Sequence, residues 1–144
     1  MALVLQNYQL IAIGSLLKDI PLKNQESRMR SRFINILNDR LEQLNIEKQV
    51  LQEEYAERDE EGKVIKGFEN GNEFIRVTEP FELNKAVKSL MDEEFHIDLT
   101  SENKKIFSTV LKVLEKTEKE FVDFEAQVYD LICTKLEELN LEQE

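Results

Sequence analysis

Three arginines, Arg28, Arg30 and Arg32, and an acidic run, Glu57, Asp59, Glu60 and Glu61, are the groups whose types and spacing suggest chemistry in this chain. Arginine offers a rigid fork of donors that matches carboxylate or phosphate. A helix N-terminus also attracts anions. The stretch Glu26-Ser-Arg-Met-Arg-Ser-Arg32 therefore has the makings of a contact for an anion or an acidic partner. Cations in the first turns of a helix oppose its dipole by some tenths of a kcal/mol each, roughly, so they call for a compensating charge. That charge is either external or one of the chain's own surplus acids. Arg28 and Arg32 lie four apart and share a face, while Arg30 falls on the packing seam of the same helix. The acidic run is either a surface for a basic partner or a solvated helix end.

Catalytic signatures are missing from the sequence. It has no phosphate-cradling glycine loop, nucleophile elbow, HExxH or cysteine pair. Its many glutamates carry no specificity as acid–base pairs. His96 stands alone beside Asp98 and reads as a surface residue rather than a metal ligand. Cys133 sits among Leu131, Ile132 and Leu136 and reads as a small buried apolar residue, with no base to activate it. The expectation is no enzyme, no cofactor and no metal.

Charge narrows the partners. Residues 1–40 carry six basic against three acidic side chains, and the other 104 carry 13 against 27, within a net charge of −11. Most of the molecule should repel nucleic acid and anionic lipid, so a protein partner is expected. Residues 2–17 are apolar but interrupted by Gln6, Asn7 and Gln9, which suits neither a signal peptide nor a membrane span. The single cysteine suits a reducing compartment.

These groups must be held by few and long elements, because four glycines and two prolines leave little room for turns. A helix is expected over about 25–61, capped by Asn24. Its seam is Arg30, Ile34, Leu37, Leu41, Leu44, Lys48, Leu51, Tyr55 and Arg58, at a 3.5-residue period, with Phe33, Ile36 and Val50 alongside. Asn7 should cap a helix over 8–20 that ends at Pro21, with Gly14 marking close packing. Further helices are expected over 80–94 with Pro80 in the first turn, over 101–121 capped by Ser101, and over 124–141 with Asp123 before it. Short strands are expected at 2–6, 64–68, 73–77 and 95–99, the middle pair turning at Asn70-Gly71.

The fold class is thus α+β, predominantly helical: one long coiled-coil-like helix, three or four shorter helices and a small antiparallel sheet. The 144 residues fit a single domain able to bury roughly 68% of its unfolded surface. A helix over 25–61 would be about 55 Å long, against a compact diameter of about 37 Å. It therefore projects or kinks, and projection is expected, with 55–78 as the projecting segment.

The order of LVLQN, an apolar helix, KNQESRMRSRF, a long Glu-rich helix and a DEEGK turn, followed by EEFHIDLTSENKKIF and VYDLICTKLEEL, resembles a family of small proteins. That family is encoded by tailed phages and prophages of Gram-positive bacteria. The resemblance spans most of the chain and implies a phage origin, in the host cytoplasm or the virion; it brings no functional residues. Two readings follow. One is a non-enzymatic protein-binding module acting on a host or phage protein, for example an inhibitor of a host defence or nucleic-acid-processing protein, with Arg28, Arg30, Arg32, Glu57, Asp59, Glu60 and Glu61 as its contacts. The alternative is a virion or assembly component that self-associates through helix 25–61.

Overall fold

A computed structural model describes residues 1–141. The order of elements is β1 (Ala2–Gln6), α1 (Leu10–Lys18), α2 (Asn24–Glu54), β2 (Lys66–Glu69), β3 (Asn72–Ile75), α3 (Pro80–Asp92), β4 (Glu94–Asp98), α4 (Ser101–Lys116) and α5 (Asp123–Glu137). The class is α+β and mostly helical, with one long helix. The four strands form two separate two-stranded ribbons, β1–β4 and β2–β3, rather than one sheet. The chain divides into two compact units, residues 1–41 with 94–144, and residues 42–93.

The first unit holds most of the buried side chains. β1 and β4 pair antiparallel, Leu3 opposite Ile97 and Leu5 opposite Phe95. The period-2 alternation turns Leu3, Leu5 and Ile97 into the core and leaves His96 outside. α1 buries Leu10, Ile13, Leu16 and Leu17, and α4 buries Ile106, Phe107, Val110, Val113 and Leu114. α5 adds Val128, Ile132 and Leu136. α2 contributes Met29, Phe33 and Leu37, and the Phe33 and Phe107 rings meet edge to face at 5.6 Å. The expected seam missed Met29. A stripe at the natural 3.6-residue period, packed into a globular core, leads with Met29, Phe33 and Leu37 and leaves Arg30, Ile34 and Leu41 half-buried beside them.

The start of α1 differs from expectation. Gln6 and Gln9 form a reciprocal capping box around the 3₁₀ turn Asn7–Gln9, with Gln6 N–H donating to Gln9 Oε1 at 2.9 Å. Asn7 is fully buried instead of capping, and its Oδ1 accepts from Arg40 Nε at 3.1 Å. Gly14 is not at a close approach, because a Cβ there would meet nothing within 4 Å. α4 is capped by Thr100, whose hydroxyl accepts from Asn103 N–H, so Ser101 is the first helical residue. α4 also stops at Lys116, short of 121, because Phe121 leaves the helix to stack on Tyr129 at 4.6 Å between centroids. Tyr129 Oη in turn donates to the Leu114 carbonyl at 2.5 Å, satisfying an acceptor of the last turn.

In the second unit, helix α2 ends at Glu54 rather than 61. The chain instead pairs its backbone: Glu57 N–H donates to Arg76 O, Ile65 N–H to Glu57 O, and Thr78 N–H to Tyr55 O. Arg58 donates to the carbonyls of Glu53 and Gly62, so it closes the helix end and the loop instead of extending the seam. An acidic run opposed to the helix dipole favours this exit. Asn70 and Gly71 both have positive φ, 52° and 81°, and close the β2–β3 hairpin as their sequence demands. α3 has Pro80 in its first turn and no fully buried residue. Leu44 and Ala56 are the buried side chains among residues 42–93.

Candidate functional site

The arginines separate into two roles. Arg30 is half-buried, and its guanidinium donates to the Ile20 carbonyl and to Leu17 O at 3.4 Å. It therefore binds carbonyls at the C-terminal end of α1, where a cation suits the dipole. Arg28 and Arg32 are exposed one turn apart on α2. Their neighbour Glu26 pairs with Lys116 of α4, which takes up that acid internally.

The acidic run is largely committed to its own loop. Glu57 meets Arg76 at 3.2 Å. Asp59 Oδ1 accepts from the N–H groups of Glu61 and Lys63 at 2.9 and 3.0 Å, an Asx turn that shapes the tip. Glu61 lies 3.6 Å from Lys63, both well exposed, a contact worth little in water. Glu60 faces solvent. Arg28 and Arg32 belong to the first unit and the acids to the second.

His96 is exposed, with Nε2 3.4 Å from Glu94 Oε1. Cys133 is half-buried on α5 one turn from Tyr129. Burial pushes its thiol up from the ordinary range, with the Tyr129 hydrogen bond acting the other way. Burial also raises the Tyr129 phenol, helped by the neighbouring Cys133. Among the described residues no group of three His, Cys, Asp or Glu side chains could hold a metal ion, and no helix is long and apolar enough to cross a membrane.

What sequence reasoning passed over is a set of three exposed phenylalanines on the second unit. Phe68, Phe74 and Phe81 are 74%, 46% and 72% exposed. Phe68 and Phe74 stand on opposite faces of the β2–β3 ribbon, as their register with Glu73 and Gly67 requires. A cleft of about 540 Å³, lined by Gln52, Phe74, Ile75, Val77 and Leu83, is rimmed by the ion pair of Lys66 with Glu73 at 2.9 Å. Fourteen acidic and seven basic side chains give residues 42–93 a net charge of −7. The available signal was three of the chain's eight phenylalanines within Phe68–Phe81, in a stretch too thin in apolar residues to bury them.

A family model described as a protein of unknown function, DUF1617, matches residues 1–142. The chain belongs to this family. The DUF1617 match runs through both compact units, so it covers the arginine pair, the acidic loop and the aromatic ribbon alike. No curated protein and no solved structure matches the DUF1617 chain.

Proposed function

We propose that the chain is a non-enzymatic, phage-encoded protein-binding module that docks a basic host or phage protein on residues 42–93. The observation that carries this reading is the exposure of Phe68, Phe74 and Phe81 on a unit of net charge −7. Aromatic side chains supply most of the contact energy of protein interfaces when water leaves them. An acidic surround steers and selects a basic partner while rejecting nucleic acid. Glu60 and the rim acid Glu73 supply part of that surround. Inhibition of a host defence or nucleic-acid-processing protein, whose own working surface is basic, is the concrete form. The site of action is the host cytoplasm.

The test is co-purification from phage-infected cells with tagged wild-type protein and with a Phe68→Asp/Phe81→Asp variant. A stoichiometric basic protein is expected on the wild type, released by salt and missing from the variant. Equal retention on both overturns the reading. A multi-copy assembly of the chain alone, burying Ile46 and Val50 of α2, would favour the virion component instead.

A further inference from the structure

On its β3 side the ribbon of the second unit ends in a row of backbone groups that pair with nothing. Arg76 N–H donates to Ile65 O, and the register sets Phe74 opposite Gly67 and Asn72 opposite Glu69. Bonded and non-bonded positions alternate in an antiparallel pair, so Asn72, Phe74 and Arg76 turn their N–H and C=O groups inward. Glu73 and Ile75 turn theirs outward. Val77 continues the row, because the bonds on either side of its bridge to Ala56 are Glu57 N–H to Arg76 O and Thr78 N–H to Tyr55 O. Three N–H and three C=O groups thus point away from the ribbon, and no backbone hydrogen bond among the described residues takes them. The cleft of about 540 Å³ adjoins this strand. Glu73, Phe74, Ile75 and Val77 line it, with Lys66 from β2, Gln52 from α2 and Leu83 from α3. Ile75, Val77 and Leu83 are half-buried and make part of its wall apolar.

We propose that the basic partner supplies an extended segment that adds to this edge as a strand beside β3. The proposal rests on the reading of residues 42–93 as the docking unit for a basic protein, and it names how that protein is held. The open row selects the backbone of the occupant, because an extended chain repeats its own N–H and C=O groups at the matching spacing. An unpaired edge is a template of this kind unless lysine or proline blunts it, and Glu73–Val77 contains neither. Charge selects the side chains. Glu73 stands in the row, Glu79 and Glu82 lie just before Leu83 in the sequence, and the unit carries −7, so alternate lysines or arginines on the incoming strand meet acid. The pair of Glu73 with Lys66 is exposed and worth little in water, so the carboxylate is open to an incoming cation. The opposite margin, through Val64, Lys66 and Phe68, carries a lysine in its row and repels the same segment. A second copy of the chain is disfavoured, since it would bring −7 against −7.

Amide hydrogen exchange of the full chain, alone and with a short peptide of alternating lysine and valine at up to about 1 mM, tests this. In the free chain the amides of Glu73, Ile75 and Val77 should exchange faster than those of Phe74 and Arg76. The peptide should slow these three and leave Lys66 and Phe68 unchanged, and an alternating glutamate–valine peptide should slow none of them. Glu73→Pro removes one outward donor without touching a β2–β3 bond, and it should weaken binding of the lysine–valine peptide about tenfold, the loss of one hydrogen bond. Glu73→Ala keeps that donor and should weaken it less. Outward amides already protected in the free chain, protection of Lys66 and Phe68 instead, no protection at all, or binding indifferent to Glu73→Pro overturns the proposal. The exchange pattern is read on the unaltered chain, so it decides the matter even where Glu73→Pro loses the hairpin. In the co-purification, a basic protein released by Phe68→Asp/Phe81→Asp but held by Glu73→Pro overturns the added strand and keeps the docking unit, so the two readings fail separately.

Discussion

The ring of Phe74 lies across Gly67, its partner on the opposite strand. A Cβ placed on Gly67 would come within 2.5 Å of Phe74 Cζ. Glycine in a strand is weak by itself, since it has no side chain to pack. Here its bare backbone seats the ring of Phe74.

The substitution Gly67→Ala should displace the Phe74 ring. The ring is nearly half exposed, so it can swing aside at a cost of about 1 kcal/mol or less. In the wild type the Gly67 α-protons sit under the ring and should resonate upfield in proton NMR. Both Gly67→Ala and Phe74→Ala should remove that signature while leaving the α-helical circular dichroism unchanged. An upfield pair of glycine protons surviving in Phe74→Ala would show that the ring is not seated there.

Arg30 and its neighbours should respond in opposite ways. Arg30→Met keeps much of the aliphatic stem but strips the donors from the Leu17 and Ile20 carbonyls. It should destabilise the fold by about 1–3 kcal/mol, the range for charged hydrogen bonds in part-buried settings. Arg28→Glu/Arg32→Glu touches two exposed side chains and should leave stability within about 0.5 kcal/mol. Urea unfolding followed by circular dichroism measures both. A large loss in the double variant would mean that the pair is part of the internal ion network.

The three arginines look alike in the sequence, at alternate positions from 28 to 32, and only the fold separates them. The sequence reveals that Arg30 lies on a seam, but the C-terminal carbonyls of α1 that it binds come from 10 and 13 residues earlier. Periodicity located α2 as a long helix, though not its buried stripe, and it sufficed for the alternation of β4 and for the Asn70-Gly71 turn, because each is a local pattern fixed by backbone geometry. It failed at residues 55–61, where helix-compatible residues yield to a pairing with 64–65 and 76–78 that no local window contains. It failed also for α4 beyond Lys116, whose end is set by Phe121 stacking on Tyr129 in the next helix. The exposure of Phe68, Phe74 and Phe81 was invisible for another reason. A phenylalanine in an amphipathic pattern reads as core, and exposure shows only when the unit proves to have little core to offer.

Gly14 offers a gain. It lies in the interior of α1, and nothing stands within 4 Å of where a Cβ would be. Glycine there lacks the helix propensity of alanine without the benefit of close packing. Gly14→Ala should stabilise the fold by about 1 kcal/mol, seen as a higher urea midpoint at unchanged slope. A destabilised variant would mean that the added methyl group disturbs the packing of α1.

Tyr129 and Cys133 set an alkaline limit on stability. Burial raises both groups above their ordinary values, so the folded state favours the protonated phenol and thiol. The sign follows directly. Stability from these groups is complete below their unfolded values and is lost as pH rises through the higher folded ones. Ionisation of Tyr129 also removes the proton it donates to the Leu114 carbonyl, so the cap on α4 fails in the same interval. Tyr129→Phe should therefore be less stable at neutral pH by about 1–2 kcal/mol, and its stability should fall less steeply than the wild type's as the solution becomes alkaline. Cys133 should react with a thiol reagent more slowly than free cysteine at neutral pH, because less of it is thiolate. A Cys133 as reactive as free cysteine would mean that the thiol is open to solvent rather than held protonated by burial in α5.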